Sequence, residues 1–278
     1  MSREENVEVF DDTMYLCETE KKLIDAIENS VAAQQFYKEG EEIAGALLKR
    51  EKPAKVFVSK KRSFEAARAY YGKKVLVHNF ASASNPGGGV VRGASAQEEA
   101  LCRISTLYPC LNVREMWEKF YRPHRLMMDP LHNDDCIYTP GVLVIKTDTT
   151  YPQLMPTQAW YEADVLTCAA PNLRERPTNP FNPEDGSVKV EISDDDLYAL
   201  HVKRFRRMLE IAAKNGVDVV ILGAFGCGAF KNSPKVVARA AKQVVEEYKE
   251  YFETVEFAVY CSRWDTENYK VFAETFAS

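Results

Sequence analysis

Short apolar runs alternate with amphipathic stretches along most of the chain. The apolar runs are rich in Val and Ile and are bounded by Gly, Pro, Asn or Asp, which is typical of buried strands. Six runs are predicted as strands: AKVFVSK after Pro53, the run beginning at Val75, IYTPGVLVIK, ADVLTCAA, VDVVILGAF and VEFAVYC. Helical patterns with short connections lie between them. This alternation predicts an α/β/α sandwich around a mixed, mostly parallel sheet.

The first part of the chain has a different pattern. Residues 1–52 are highly charged, with helical periodicity over Glu20–Tyr37 and a second helical stretch over Glu41–Lys49. Pro53 interrupts this pattern just before the first predicted strand. We therefore expect an N-terminal helical segment, residues 1–52, packed on a main domain of residues 53–278.

Three further stretches carry predictions of their own. The amphipathic stretch NVREMWEKFYRPHRL is predicted to be helical as far as Pro123, and residues 172–194, with three prolines, are predicted to be a surface loop. A long helix is expected over Ser193–Lys214. Its basic run, at positions 203, 204, 206 and 207, is typical of a solvated face, with contact to a polyanion as the less common alternative. The polar tail after VEFAVYC is assigned no structure.

A glycine-rich turn follows the strand that begins at Val75. The turn contains Gly87, Gly88 and Gly89, and three glycines together permit positive φ and close approach to a ligand. A helix start follows, with Ser95 as N-cap and Glu98 as its capping-box partner. Strand, glycine loop and helix N-terminus together present backbone N–H groups to an anion, most often a phosphate.

The same arrangement occurs a second time, after the strand VDVVILGAF. Gly223, Gly226 and Gly228 lead to a helix that Asn232 or Ser233 caps, with Pro234 at its first position. Two such loops side by side suit the two phosphates of a diphosphate.

Neither loop matches the common nucleotide-binding fingerprints. The chain contains no Gly-Lys-Ser/Thr, which a P-loop requires. A dinucleotide fingerprint would need a third glycine where the first loop has Arg92 and the second has Lys231. Both classes are therefore excluded.

Composition excludes some classes of binding partner and some cellular locations. A net charge of −5 and a pI of about 5.6 argue against a broad nucleic-acid-binding face, so DNA is not an expected partner. No apolar run reaches the length of a membrane span, and MSREENVEVF is too charged for a signal peptide. The seven cysteines are scattered, without a Cys-x2-Cys pair, and the four histidines are isolated. We expect reduced thiols, no metal site and a cytoplasmic location.

One motif is specific enough to suggest a family. The triple glycine is followed by seven residues and then by Gln97-Glu98-Glu99, within HNFASASNPGGG, QEEALCR and LYPCL. This pattern resembles the signature of poly(ADP-ribose) glycohydrolases of the microbial type, and LGAFGCGAFKNSP resembles their second phosphate loop. The resemblance runs from about Val56 to Tyr260. It implies a macrodomain-like fold, cleavage of ribose–ribose O-glycosidic bonds without metal or cofactor, poly(ADP-ribose) or ADP-ribosylated proteins as partners, and ADP-ribose as product.

The resemblance also assigns candidate site residues. Glycoside cleavage needs a carboxylic acid to protonate the leaving oxygen and then, as a carboxylate, to activate water. Glu99 and Glu98 are the candidate catalytic residues. Glu99 is the expected acid, because Glu98 can be explained by capping alone and neighbouring helical positions point about 100° apart. The candidate substrate-binding residues are Asn79, Gly87, Gly88, Gly89, Gln97, Gly226, Cys227, Gly228, Ala229 and Phe230.

Several of these residues have a second interpretation. Asn79 either ends its strand in a turn or orients the ribose. Gln97 is either a polar residue of the first helical turn or a contact to the sugar. Phe230 either anchors the loop in the core or lies beside the ribose. The family usually has an acidic residue after the last strand, where this chain reads VYCSRWD. Two alternative functions remain open. One is a macrodomain that only binds ADP-ribose, and the other is a hydrolase of protein-linked mono-ADP-ribose.

Overall fold

A seven-stranded sheet forms the centre of the molecule. The structure, a computed structural model, describes residues 1–45, 47–262 and 266–277. The strands are β1 (Gln35–Tyr37), β2 (Lys55–Ser59), β3 (Val75–Ala81), β4 (Cys136–Val144), β5 (Tyr161–Ala169), β6 (Val219–Leu222) and β7 (Thr254–Ala258). Their order is β1-β4-β5-β3-β6-β7-β2. The strands from β5 to β2 are parallel, and β4 is antiparallel to both of its neighbours.

Helices cover both faces of this sheet. They are α1 (Arg3–Thr19), α2 (Lys21–Ala32), α3 (Ser63–Ala67), α4 (Gln97–Arg103), α5 (Leu107–Leu111), α6 (Arg114–Met116), α7 (Arg122–Met127), α8 (Asp194–Lys214), α9 (Pro234–Tyr248) and α10 (Glu267–Ala277). One apolar core lies between the sheet and α8, α9 and α10, and a second lies between the opposite face and α1, α3, α4 and α5. The predicted α/β/α sandwich with a mixed, mostly parallel sheet and an N-terminal helical extension is confirmed.

The two glycine loops leave the sheet side by side. Strands β3 and β6 are parallel neighbours, with Leu76 opposite Val220. Their carboxyl ends therefore lie at the same edge of the sheet, and each is followed directly by a glycine loop. Open α/β sheets bind ligands at this edge.

The N-terminal segment contributes more than helices. Helix α2 ends at Ala32, and Gln35–Tyr37 forms the edge strand β1 against β4, so the predicted helix over Glu20–Tyr37 is too long. The predicted helix over Glu41–Lys49 is wrong, because the described residues of that stretch form no helix. The aromatic side chains of Phe36 and Tyr37 favour the strand once β4 offers a partner. The domain division at residue 52 stays a prediction.

Two other boundaries differ from the predictions. The helical stretch over NVREMWEKFYRPHRL does not end at Pro123, because a π-helical segment, Trp117–Tyr121, connects α6 to α7 and the helix continues to Met127. Pro123 follows the π-helical segment at the start of α7, where the regular α-helical hydrogen bonding is already interrupted. The unassigned polar tail contains α10, whose Phe272 is fully buried.

The basic run of α8 is a solvated face only in part, because Lys203 is exposed and Arg204 is buried. Arg204 is only 1% exposed and donates from Nε to Asp134 at 2.9 Å and from Nη1 to the Ala169 carbonyl at 2.8 Å. Lys203 binds the other oxygen of Asp134 at 2.8 Å. The remaining two, Arg206 and Arg207, bind a glutamate and two backbone carbonyls. All four cations are thus engaged within the chain.

Residues 172–194 contain neither helix nor strand up to the N-cap of α8, which confirms the predicted loop. Parts of it are nevertheless buried, at Asn172, Asn182 and Asp185. Among the helices that the structure describes, none is long and apolar enough to cross a membrane.

Candidate active site

A cavity of about 630 Å³ opens at the carboxyl edge of the sheet, between the two glycine loops. Its volume is in the usual range for small-molecule sites, about 300–1,000 Å³. It brings together most of the candidate residues, since its lining includes Gly88, Gln97, Glu98, Glu99, Gly226, Gly228, Ala229 and Phe230.

The Glu98 side chain has a different role from the one predicted. Helix α4 begins at Gln97 with Ala96 at the N-cap, and no side chain caps it, so the capping box of Ser95 and Glu98 is wrong. The Glu98 carboxylate instead accepts hydrogen bonds from the Ser82 backbone N–H at 2.7 Å and from Asn79 Nδ2 at 3.3 Å. These donors lie at the end of β3. They hold Glu98, which is 3% exposed, beneath the edge of the sheet.

Glu99 is held by the first glycine loop. Its Oε1 accepts a hydrogen bond from the Gly89 backbone N–H at 2.9 Å, and the residue is 7% exposed. A Cβ built on Gly88 would lie 2.6 Å from Glu99 Oε1 and 3.1 Å from Glu98 Oε2. The two carboxylates therefore both lie next to Gly88. The expectation that neighbouring helical positions keep them apart is wrong, because each side chain bends toward its own backbone donor.

Burial changes the acidity of both groups. Desolvation raises the pKa of Glu98 well above its ordinary value, and the charge of Glu99 raises it further against the hydrogen bonds from Ser82 and Asn79. Desolvation also raises the pKa of Glu99, while the Gly89 hydrogen bond lowers it. Each carboxyl group consequently keeps its proton to a higher pH than an exposed glutamate does.

The raised pKa values predict a pH-dependent stability that Glu99→Gln removes in part. A carboxyl whose pKa is higher in the folded than in the unfolded state stabilises the fold fully below the unfolded value, about 4.3, and loses that contribution as pH rises through the folded value. The variant should therefore gain stability relative to wild type as the pH rises above about 4.3, the unfolded pKa of glutamate, by about 1.4 kcal/mol per unit of pKa elevation. Urea unfolding across this range measures it. Parallel curves for the two proteins would contradict it.

The amides of the first glycine loop are already engaged within the protein. Gly87 and Gly88 have φ of +66° and +55°, which L-residues rarely adopt. This backbone lets the Gly88 N–H reach the Asn85 carbonyl at 2.9 Å and the Gly89 N–H reach Glu99. The Gly87 amide stabilises the Glu98 carboxylate. The Gly88 and Gly89 amides are therefore occupied within the protein, and the Gly89 amide holds the Glu99 carboxylate.

The second glycine loop has the free amides. The backbone N–H groups of Gly226, Gly228, Ala229 and Phe230 make no hydrogen bond to any residue that the structure describes, and all four residues line the cavity. Consecutive unpaired N–H groups of this kind form an anion-binding concavity. Cys227 has another role: its N–H donates to the Ala224 carbonyl at 3.1 Å, its Sγ lies 3.6 Å from the Phe225 carbonyl, and burial raises its pKa.

Asn232, predicted only as a possible helix cap, holds this second loop together. Its Nδ2 donates to the carbonyls of Pro171 at 2.7 Å, Gly226 at 3.2 Å and Phe230 at 3.3 Å. Its Oδ1 accepts from His201 Nε2 at 2.8 Å. Burial lowers the pKa of His201 to about 4, so the neutral ring carries its proton on Nε2. His201 is far away in the sequence, and no motif marks the pair.

The structure places the three ambiguous residues as follows. Gln97 uses its whole side-chain amide within the protein, accepting from Phe80 N–H at 2.9 Å and donating to the His78 carbonyl at 2.8 Å. Asn79 is fully buried and donates to Glu98 and to Thr167, so it reaches the site through Glu98. Phe230 both lines the cavity and packs against the core beneath the second loop.

The region after the last strand is described only in part. Tyr260 lines the cavity with the Arg62 guanidinium stacked 3.9 Å from its ring centroid. Residues 263–265 of VYCSRWD, where the departure from the family pattern was noted, lie outside the described residues.

Comparison with known proteins identifies one family. The sequence model of the microbial-type poly(ADP-ribose) glycohydrolase (PARG) catalytic domain matches residues 3–147, which include the first glycine loop and both glutamates. No curated protein sequence matches the chain significantly.

Solved structures extend this similarity over nearly the whole chain. The poly(ADP-ribose) glycohydrolase of Thermomonospora curvata is 27% identical, with a TM-score of 0.80 over 98% of this chain and 100% of that one. The same enzyme bound to the inhibitor ADP-HPD gives 27% and 0.78 over 97% and 98%. The Deinococcus radiodurans enzyme in complex with ADP-ribose gives 27% and 0.73 over 90% and 97%.

The matched residues carry the triple glycine, Glu98 and Glu99, and the fold around them is that of the solved glycohydrolases. The chain therefore belongs to the microbial-type poly(ADP-ribose) glycohydrolase family, whose members are hydrolases of glycosidic bonds.

Proposed function

We propose that this cavity cleaves the ribose–ribose O-glycosidic bond of poly(ADP-ribose) and releases ADP-ribose, with Glu99 as the acid and base. The observation that carries the proposal is the pair of buried carboxylates beside four unpaired amides of the second loop. The amides of Gly226, Gly228, Ala229 and Phe230 bind the diphosphate. The distal ribose then lies between that loop and the two glutamates.

Glu99 is the better placed of the two for proton transfer. Both glutamates line the cavity, but both oxygens of Glu98 are hydrogen-bonded, whereas Glu99 accepts a hydrogen bond from Gly89 on Oε1. Because burial raises its pKa, the protonated form is available to donate to the leaving 2′-oxygen as the glycosidic bond breaks. The resulting carboxylate then takes a proton from the water that attacks the oxocarbenium-like sugar.

Glu98 helps to position Glu99 for proton transfer. Both of its oxygens are bonded, to Ser82 and Asn79, which fixes its position against the sheet. Asn79 and Gln97 hold the end of β3 and the start of α4 together. We assign these three residues to positioning the acid.

The energetic cost of the site favours an enzyme over a binding module. Placing two carboxyl groups side by side out of water costs stability, and catalysis is a reason for a protein to keep them there despite that cost. Recognition of ADP-ribose needs the second loop and an apolar wall, but no acidic pair. The same pocket also accommodates ADP-ribose attached to proteins.

The seven cysteines are unpaired, which agrees with a reducing, cytoplasmic setting.

The proposal predicts that hydrolysis does not need a metal ion. The chemistry described above is supplied by the Glu99 carboxyl group. Poly(ADP-ribosyl)ated protein incubated with the chain should release free ADP-ribose at the same rate with and without excess EDTA, as followed by chromatography. Loss of turnover in EDTA with recovery on adding Mg²⁺ would show that the proposed chemistry is wrong.

A further inference from the structure

Asn182, in the loop over residues 172–194, has a buried side chain without a partner. It is 7% exposed and lines the cavity together with Gly88 and Glu99. Its carboxamide makes no hydrogen bond to any residue that the structure describes, although its backbone is bonded to Asn179. The carboxamide atoms are not sealed off from solvent, so they are open to the cavity, and a polar group that enters the cavity can become their partner.

The loop places Asn182 next to the acid. The ring of Phe181 packs so closely on Gly89 that a Cβ on that glycine would overlap it, and Arg3 lies 5.4 Å from the ring centroid. Gly89 is the residue whose N–H holds Glu99. One residue along the chain from Phe181, Asn182 therefore belongs to the wall of the cavity that carries the carboxylates.

The tip of the loop has a defined shape. Asn179 Oδ1 accepts the backbone N–H groups of Phe181 at 2.9 Å and Asn182 at 3.3 Å. Arg92 Nη1 donates to the Pro180 carbonyl at 2.9 Å, which ties the tip to the first glycine loop. This backbone does not depend on the Asn182 side chain.

The base of the loop is fixed by a buried polar network. His132 Nε2 lies 2.8 Å from Asp185 Oδ1, and Asn172 Nδ2 donates to Asp185 Oδ2 at 2.6 Å. His132 Nδ1 lies 2.7 Å from the carbonyl of Ala170, just after β5. The loop is thus anchored at base and tip, and a side chain on it is presented in a fixed direction.

We infer that Asn182 is a specificity-determining residue that hydrogen-bonds a hydroxyl of the distal ribose, the sugar at the scissile bond. The inference rests on the proposed function. A carboxamide both donates and accepts, which matches a hydroxyl group. A diphosphate only accepts and has the unpaired amides of the second loop, whereas the ribose must lie beside Glu99 for proton transfer.

Binding of two ligands to Asn182→Ala tests the inference. ADP-ribose carries the distal ribose and ADP lacks it, so only ADP-ribose loses a contact. Calorimetry should show ADP-ribose binding weakened roughly three- to tenfold, the usual value of one neutral hydrogen bond, with ADP affinity unchanged. Unchanged ADP affinity also shows that the variant is folded. Ser187→Ala, an exposed change in the same loop, is the matched control and should bind both ligands as wild type does.

Three outcomes would overturn the inference. Unchanged ADP-ribose affinity in Asn182→Ala would remove the contact, and an equal loss for ADP and ADP-ribose would move it away from the distal ribose. A wild-type protein that binds neither ligand would overturn the proposed function together with this inference. Wild-type binding without hydrolysis would contradict the proposed function alone, because the two-ligand comparison does not depend on turnover.

Discussion

Glu99→Gln should lower the turnover of poly(ADP-ribose) by at least about 10²–10⁴-fold, the usual contribution of general acid–base catalysis. Glutamine has the size of glutamate and keeps the hydrogen bond from Gly89 through its carbonyl oxygen, but it cannot deliver an acidic proton. Interactions that matter mainly in the transition state change turnover and leave ground-state binding nearly unchanged. Affinity for ADP-ribose should therefore remain within a few-fold of wild type, as measured by calorimetry beside the rate of ADP-ribose release.

Glu98→Gln is the matched control, since the two residues are adjacent and equally substituted. Its carbonyl can still accept from Ser82, but its NH2 group faces the Asn79 amide. We expect a smaller loss of turnover than in Glu99→Gln, because this substitution disturbs the position of the acid without removing it. Full activity in Glu99→Gln would remove Glu99 from the mechanism, and a larger loss in Glu98→Gln would exchange the roles of the two.

Gly228→Val should weaken ADP-ribose binding at least tenfold without unfolding the protein. A Cβ at this position meets no atom within 4 Å, and its φ lies outside the left-handed region, so the fold accepts a side chain there. The valine would instead occupy the cavity beside the unpaired amides of the second loop. Charge-assisted hydrogen bonds to a diphosphate are each worth about 1.5–3 kcal/mol, so losing one or more gives the expected effect.

Gly228→Ala provides the graded control, with a smaller loss of affinity in the same calorimetric assay. Gly88→Val is less informative, because its Cβ would collide with the Glu99 carboxylate and its φ of +55° strains any L-residue. Unchanged affinity in Gly228→Val, with a wild-type melting temperature, would show that the second loop does not bind the diphosphate.

The parts of the fold that the sequence predicts correctly depend on local patterns. The strand beginning at Val75, the triple glycine and the helix start near Gln97 are adjacent in the chain, and their residue types limit the backbone directly. Strand β1 could not be found in this way. Gln35–Tyr37 is extended because β4, a hundred residues later, offers hydrogen bonds to it.

In the site, too, local sequence patterns identify some residues, whereas others are recognised only from contacts between distant parts of the chain. The motif identifies Glu98 and Glu99, but the Ser82 backbone N–H that holds Glu98 has no side-chain signature. Arg204 was misinterpreted because periodicity does not reveal that Asp134 lies opposite it in the fold. Asn182 lies in a polar loop whose composition looks like that of any surface loop, and only the packing of Phe181 on Gly89 turns it toward the cavity.

The central claim is that this cavity breaks a glycosidic bond rather than only binding ADP-ribose. The most direct measurement is a single-turnover reaction, with the chain in excess over poly(ADP-ribosyl)ated protein and free ADP-ribose followed over time. We predict that wild type converts the polymer to free ADP-ribose and that Glu99→Gln binds the polymer but leaves it intact. A wild-type protein that binds ADP-ribose yet releases none from the polymer would contradict the account.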